Sequence, residues 1–103
     1  MWVKVIENIE SFTFPDLTSK KVIIENEAIC LSKVNGLFYA ISDKCPHDGG
    51  SMSAGSCFQN TIIECPWHHF RFSLPNGKSL GDKTSNIRTF KVKTENNQLF
   101  IEL

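Results

Sequence analysis

Residues 45–72 read CPHDGGSMSAGSCFQNTIIECPWHHFRF, and the rest of the chain is best understood outward from them. The stretch opens with Cys45-Pro46-His47 and, with 17 residues between, continues with Cys65-Pro66-Trp67-His68. A C-x-H pair and a C-x2-H pair offer two thiols and two imidazoles, a complete four-ligand set for a metal centre. Each Cys-Pro step restrains the backbone beside a thiol, because proline fixes its own φ and biases the preceding residue towards extended geometry. Two donors per loop can then point the same way.

On either side, short segments rich in β-branched and aromatic residues alternate with turn signals, which predicts an all-β chain. Strands are expected at residues 2–6, 21–24, 28–34, 37–42, 61–64, 70–74, 87–94 and 98–103. Asn35-Gly36 lies between two of them and accepts the positive φ angles of a type I′ turn, so residues 28–42 should form a hairpin. A second hairpin is expected at the C-terminus: Phe90 and Val92 alternate with Lys91 and Lys93, Glu95-Asn96-Asn97 forms the turn, and Leu99, Ile101 and Leu103 share one face. Residues 7–12 suggest a short helical turn. The segments 43–60 and 75–86 are turn-rich and hold the chemistry.

The chain has 103 residues, which suits one domain spanning 1–103, large enough to bury a core without a metal to create it. Eleven Lys and Arg balance eleven Asp and Glu, so there is no broad positive field for nucleic acid or anionic lipid, and neither is an expected partner. No apolar run approaches the roughly 20 residues of a membrane-spanning helix, and the first residues lack a secretory h-region. These features suggest a cytoplasmic protein. In a reducing compartment its four cysteines are better read as thiols or metal ligands than as disulfides.

The pattern C-x-H-x17-C-x2-H, extended by Gly49-Gly50, Phe72 and the Pro75-Asn76-Gly77 turn, resembles the Rieske [2Fe–2S] proteins, in particular the low-potential ferredoxins that feed aromatic-ring oxygenases. The resemblance implies an all-β Rieske fold, with an antiparallel base and a smaller cluster-binding lobe at about 43–84 inserted in it. It implies one [2Fe–2S] cluster, with Cys45 and Cys65 on one iron, His47 and His68 on the other, and two sulfides between them. Two ferric ions, two sulfides and two thiolates sum to a neutral cluster, which accepts an electron more easily than one with four thiolates. Rieske centres accordingly lie at roughly −150 to +300 mV, against about −400 mV for plant-type clusters.

Within that range the residues point low. High-potential relatives join their two loops by a disulfide and place a Ser and a Tyr hydroxyl near the cluster sulfurs; here Trp67 replaces one disulfide cysteine, and Phe70 and Phe72 stand at the hydroxyl positions. Fewer donors leave the reduced cluster's extra charge less stabilised. The implied function is one-electron transfer from an NAD(P)H-dependent flavin reductase to an oxygenase or other redox enzyme, with no small-molecule substrate and no catalytic residue in this chain. Histidine ligation also implies proton coupling at alkaline pH, since an oxidised iron acidifies the free ring nitrogen.

Two alternatives carry other predictions: a Rieske-like small subunit of a nitrite-reductase-type enzyme, and a zinc-stabilised interaction domain. Zinc accepts two Cys and two His, but C-x-H is tighter than its usual C-x2–4-C knuckle and no helix is expected under the second pair. His69 stands where the family most often has Gly and is expected to face outward at the cluster rim. Cys30, between Ile29 and Leu31, reads as a small buried hydrophobe, whereas Cys57 can fill space under the cluster or be exposed. Trp67 and Pro75 belong to loops enclosing the cluster, and Asp48 and Arg71 read as solvated charges. Gly49 and Gly50 would let backbone amides approach the sulfides.

Overall fold

A computed structural model describes residues 1–46, 49–67, 69–81 and 85–103. Its architecture is nearly all strand. Ten strands are present among these residues: β1 (Trp2–Ile6), β2 (Thr18–Ile24), β3 (Glu27–Val34), β4 (Leu37–Ser42), β5 (Ser56–Phe58), β6 (Ile62–Glu64), β7 (Arg71–Ser73), β8 (Thr89–Phe90), β9 (Val92–Glu95) and β10 (Gln98–Glu102), with one 3-10 turn, η1 (Met52–Ala54). They form three antiparallel sheets, ordered β1-β10-β9, β2-β3-β4-β8 and β5-β6-β7.

Three hairpins are built on two-residue turns whose central residues both have positive φ, the backbone that matches strand twist in type I′ turns. Asn35 (φ 54°) and Gly36 (φ 81°) join β3 to β4 as the sequence predicts, with Val34 facing Leu37. The C-terminal turn is shorter than expected. Only Asn96 and Asn97 form it, and Glu95 is a strand residue paired with Gln98. The third, Glu25-Asn26, was not foreseen because glutamate is an uncommon residue at positive φ; Ile24 and Glu27 close it.

The middle sheet is buried on both faces, which explains why residues 28–31 form a continuous apolar run rather than an alternating one. One face of β3 places Ile29 and Leu31 against Leu99 and Ile101 of β10 and Ile6 of β1. Its other face places Cys30 and Val34 in a second core with Ile41, Met52, Ile63, Phe72, Leu74 and Ile87, under the sheet β5-β6-β7. This second core positions the site.

Several expected boundaries move, each for a physical reason. The strand expected over 87–94 is two strands: β8 pairs with β4 and β9 with β10, so the chain changes sheet at Lys91. β2 begins at Thr18 rather than at 21, because pairing with β3 carries the polar Thr18-Ser19-Lys20 into the ladder. The strand expected from 61 begins at Ile62, Thr61 taking φ 63° in the turn after β5. β5 itself and η1 have no apolar period to announce them. Residues 7–12 form a turn closed by the Phe12 N–H on the Ile9 carbonyl (3.3 Å), not a helix. No described helix is long and apolar enough to cross a membrane.

Gly77 ties the loop after β7 to the strand leading into β8. It adopts φ 73°, its N–H donates to the Ser73 carbonyl at 2.7 Å, and its carbonyl accepts the Ile87 N–H at 2.8 Å. A Cβ at this position would lie 2.1 Å from the Ile87 oxygen. Gly77→Ala therefore combines a backbone clash with left-handed strain, and urea unfolding should show a loss of at least about 2 kcal/mol.

Candidate metal centre

The two Cys-Pro segments fold into loops with the same backbone bonding. In the first, the Cys45 N–H donates to the Gly50 carbonyl at 2.8 Å and the Cys45 carbonyl accepts the Gly49 N–H at 2.8 Å. In the second, the Cys65 N–H donates to the Phe70 carbonyl at 2.8 Å and the Cys65 carbonyl accepts the His69 N–H at 3.1 Å. Each loop thus closes over six residues, with proline second and a left-handed residue fifth: Gly49 at φ 79° and His69 at φ 61°. Proline's fixed φ starts each turn and the positive φ reverses it. The first loop stands between the bridged residues Lys44 and Ser51; the second is the tip of the β6–β7 hairpin, above the Glu64–Arg71 pair.

This closure puts both cysteines in the interior. Cys45 is 1% and Cys65 0% exposed, both belong to the core of Cys30, Met52, Ile63 and Phe72, and neither is in a disulfide. Gly55 brings the two segments together. It follows η1, and a Cβ on it would meet the Glu64 carbonyl oxygen, one residue before Cys65, at 2.0 Å. The remaining sequence-predicted ligands, His47 and His68, lie outside the described residues, as does Asp48. Two buried thiols at the ends of paired loops fit a thiophilic metal group.

Around the loops the polar chemistry is specific. Glu64 accepts Arg71 Nε on Oε1 at 2.9 Å and contacts His69 Nδ1 through Oε2 at 3.1 Å. The Arg71 hydrogen bond, followed by that of His69, holds the Glu64 carboxyl below the usual carboxylate range. Glu64 thereby braces His69, which among the described loop residues is the one left-handed position that is not glycine. Arg71 also lies over the Phe58 ring, 5.0 Å from its centre, so its expected role as a simple solvated charge is corrected. The His69 side chain faces outward, 73% exposed, and Trp67 is exposed beside it at 69%. Phe72 is buried and Phe70 half-buried against the core, and as phenylalanines neither carries a hydroxyl to offer the site.

The reading of Gly49 is also corrected. Its N–H is spent on the Cys45 carbonyl, and it is needed for its positive φ rather than for an amide free to approach a sulfide. Cys30 is buried, as its neighbours suggest. Cys57 is half-buried against the same core, with its Sγ 3.1 Å from Ser19 Oγ. Pro75 is exposed.

The family model of the Rieske [2Fe-2S] domain matches residues 2–91. This chain belongs to the Rieske [2Fe–2S] family. As a Rieske protein it carries one [2Fe–2S] cluster and transfers single electrons. Among curated proteins it is similar to the 3-phenylpropionate/cinnamic acid dioxygenase ferredoxin subunit of Escherichia coli (strain K12), 41% identical over 76 residues that cover 73% of this chain and 72% of that one. Two solved structures share the fold. One is a chain in the complex of reduced oxygenase and oxidized ferredoxin of carbazole 1,9a-dioxygenase, 22% identical with a TM-score of 0.83, covering 97% of this Rieske protein and 100% of that chain. The other is described as a small subunit of an NADH-dependent nitrite reductase from Mycobacterium tuberculosis, 16% identical with a TM-score of 0.85, covering 98% and 93%.

Burial pushes the Cys30 thiol up from 9.0 to about 12, opposed only in part by its hydrogen bonds with Ser32 and Ser19. A folded-state pKa above the unfolded one means that the native protein holds its proton longer, so this contribution is intact below about pH 9 and is lost as pH climbs towards 12. Timed alkylation at pH 8 with peptide mapping should label Cys57 well before Cys30. Equal labelling rates would contradict the burial of Cys30.

Proposed function

We propose that Cys45 and Cys65 hold one iron of the cluster and His47 and His68 the other, and that the chain relays electrons to an oxygenase. The observation that carries this reading is the pair of buried thiols held in identically bonded loops within one core. The same closing bonds bracket His47 in the first loop and His68 in the second, the two imidazoles that complete the donor set in the sequence. When bound, the cluster supplies a site that gains and loses one electron between diferric and mixed-valence states.

The protein's own residues do the rest. The core of Met52, Ile63 and Phe72 excludes water from the thiol side, and the first and second loops present Pro46, Trp67 and His69 outward. A redox partner docking there meets an aromatic and a turn. The name of the E. coli relative, a dioxygenase ferredoxin subunit, supports a terminal oxygenase as acceptor; the donor class implied by the family resemblance is an NAD(P)H-dependent flavin reductase. The cluster lobe is assigned to residues 43–84 of a single domain 1–103. Four cysteines without a disulfide support the cytoplasm as its compartment.

Anaerobic purification followed by visible and electron paramagnetic resonance spectroscopy tests the assignment. The native protein should be red-brown and give a Rieske signal on reduction; Cys45→Ser and Cys65→Ser should each lose the cluster. A colourless protein holding stoichiometric zinc after reconstitution with iron and sulfide would overturn it. With no hydroxyl on Phe70 or Phe72 and no disulfide between the loops, a redox titration should place the midpoint near the low end of the family range, about −150 mV. A strongly positive midpoint would contradict that reasoning.

A further inference from the structure

Asp43, two residues before Cys45, is only 3% exposed, and among the described residues it is the one buried charged side chain. Its contacts join three parts of the molecule. Its backbone N–H donates to the Ala28 carbonyl of β3 at 3.0 Å, anchoring it to the middle sheet, and Lys21 of β2 approaches its Oδ2 at 3.8 Å. From that anchor it takes three bonds from the segment that follows the first loop. Its carbonyl accepts the Met52 N–H, its Oδ1 the Ser53 N–H and its Oδ2 the Ser51 hydroxyl, each at 2.7 Å.

Ser51 occupies the N-cap position of η1 and makes no capping bond of its own. Asp43 supplies that cap from outside the turn, satisfying an N–H that the short turn leaves open. η1 then ends at Gly55, whose Cα faces the Glu64 carbonyl too closely for any side chain. Mechanical continuity therefore runs from the middle sheet through Asp43 and η1 to the residue preceding Cys65. The same aspartate sits at the root of the Cys45 loop, so both thiols are referenced to one point.

We propose that Asp43 is a positioning residue for electron transfer: by clamping η1 it sets the placement of Cys45 relative to Cys65, and so the geometry of the cluster bridging the loops. The inference rests on the ligand assignment above. It is also specific about what the side chain must do. An asparagine still accepts the Ser53 N–H through its oxygen, and its amide donates to the Ser51 oxygen, whose hydroxyl then turns to Ser53 Oγ at 3.0 Å. An alanine can do neither.

The test compares native protein with Asp43→Asn, Asp43→Ala and Lys21→Met, each purified anaerobically with its cluster. Three readouts are taken: the g-values of the reduced state, the rate of bleaching under an iron chelator, and the urea midpoint. Asp43→Ala should bleach about tenfold faster and show displaced g-values, from the loss of two part-buried hydrogen bonds. Asp43→Asn should restore the native g-values and bleach within about threefold of native, and Lys21→Met should match native in both. A lower urea midpoint with native g-values and bleaching in Asp43→Ala would reduce the aspartate to ordinary fold stability and overturn the proposal. So would an Asp43→Asn protein as impaired as Asp43→Ala, which would make charge the relevant property. If Asp43→Ala cannot be isolated with a cluster, the Asp43→Asn result decides alone. A native protein without the Rieske signal would instead refute the ligand assignment.

Discussion

Each cysteine loop is closed by its own backbone: the Cys N–H and C=O both bond within the next five residues, at 2.8 Å in three cases and 3.1 Å in the fourth. Much else in the molecule follows from the requirement that two such closed loops meet over one core. As metal ligands Cys45 and Cys65 bind as thiolates, and two negative charges in an apolar core need a compensating positive group. The family's diferric unit supplies that compensation. The layered sheets provide the rigid floor on which both loops stand.

The repeated bonding has an asymmetric outcome. Both loops reverse at their fifth residue, but the sequence places histidine at the third position of the first loop and at the fourth of the second. Glycine makes the first reversal without steric cost, whereas the second uses His69 in a conformation that a β-carbon disfavours by about 1–2 kcal/mol. Its contact with Glu64, and that residue's bond to Arg71, offset part of this cost. The side chain that replaces the usual glycine is therefore tied to the hairpin beneath it and leaves Trp67 as the main apolar feature of the exposed tip.

Most of the fold was legible in the sequence wherever local chemistry decides structure. Asn35-Gly36 carries its turn type in its own φ preferences, and the alternation of Leu99 and Ile101 marks the buried face of β10. Legibility failed where distant partners decide. Nothing local shows that the chain will change sheets at Lys91, that Glu25 will enter a type I′ turn, or that Ser56–Phe58 will pair with β6. The site divides in the same way. Its donor atoms are written in two short motifs, but the roles of Gly55, Glu64 and Asp43 depend on contacts across the fold that no spacing reveals.

The central claim is an asymmetric donor set: sulfur from Cys45 and Cys65, nitrogen from His47 and His68. Pulsed electron paramagnetic resonance on reduced protein carrying 15N only in histidine tests it most directly, because His69 provides an internal decoy beside His68. Two strongly coupled nitrogens are predicted, both retained in His69→Gly and one lost in each of His47→Cys and His68→Cys. The absence of strongly coupled histidine nitrogen, or a coupling that disappears with His69, would contradict the account.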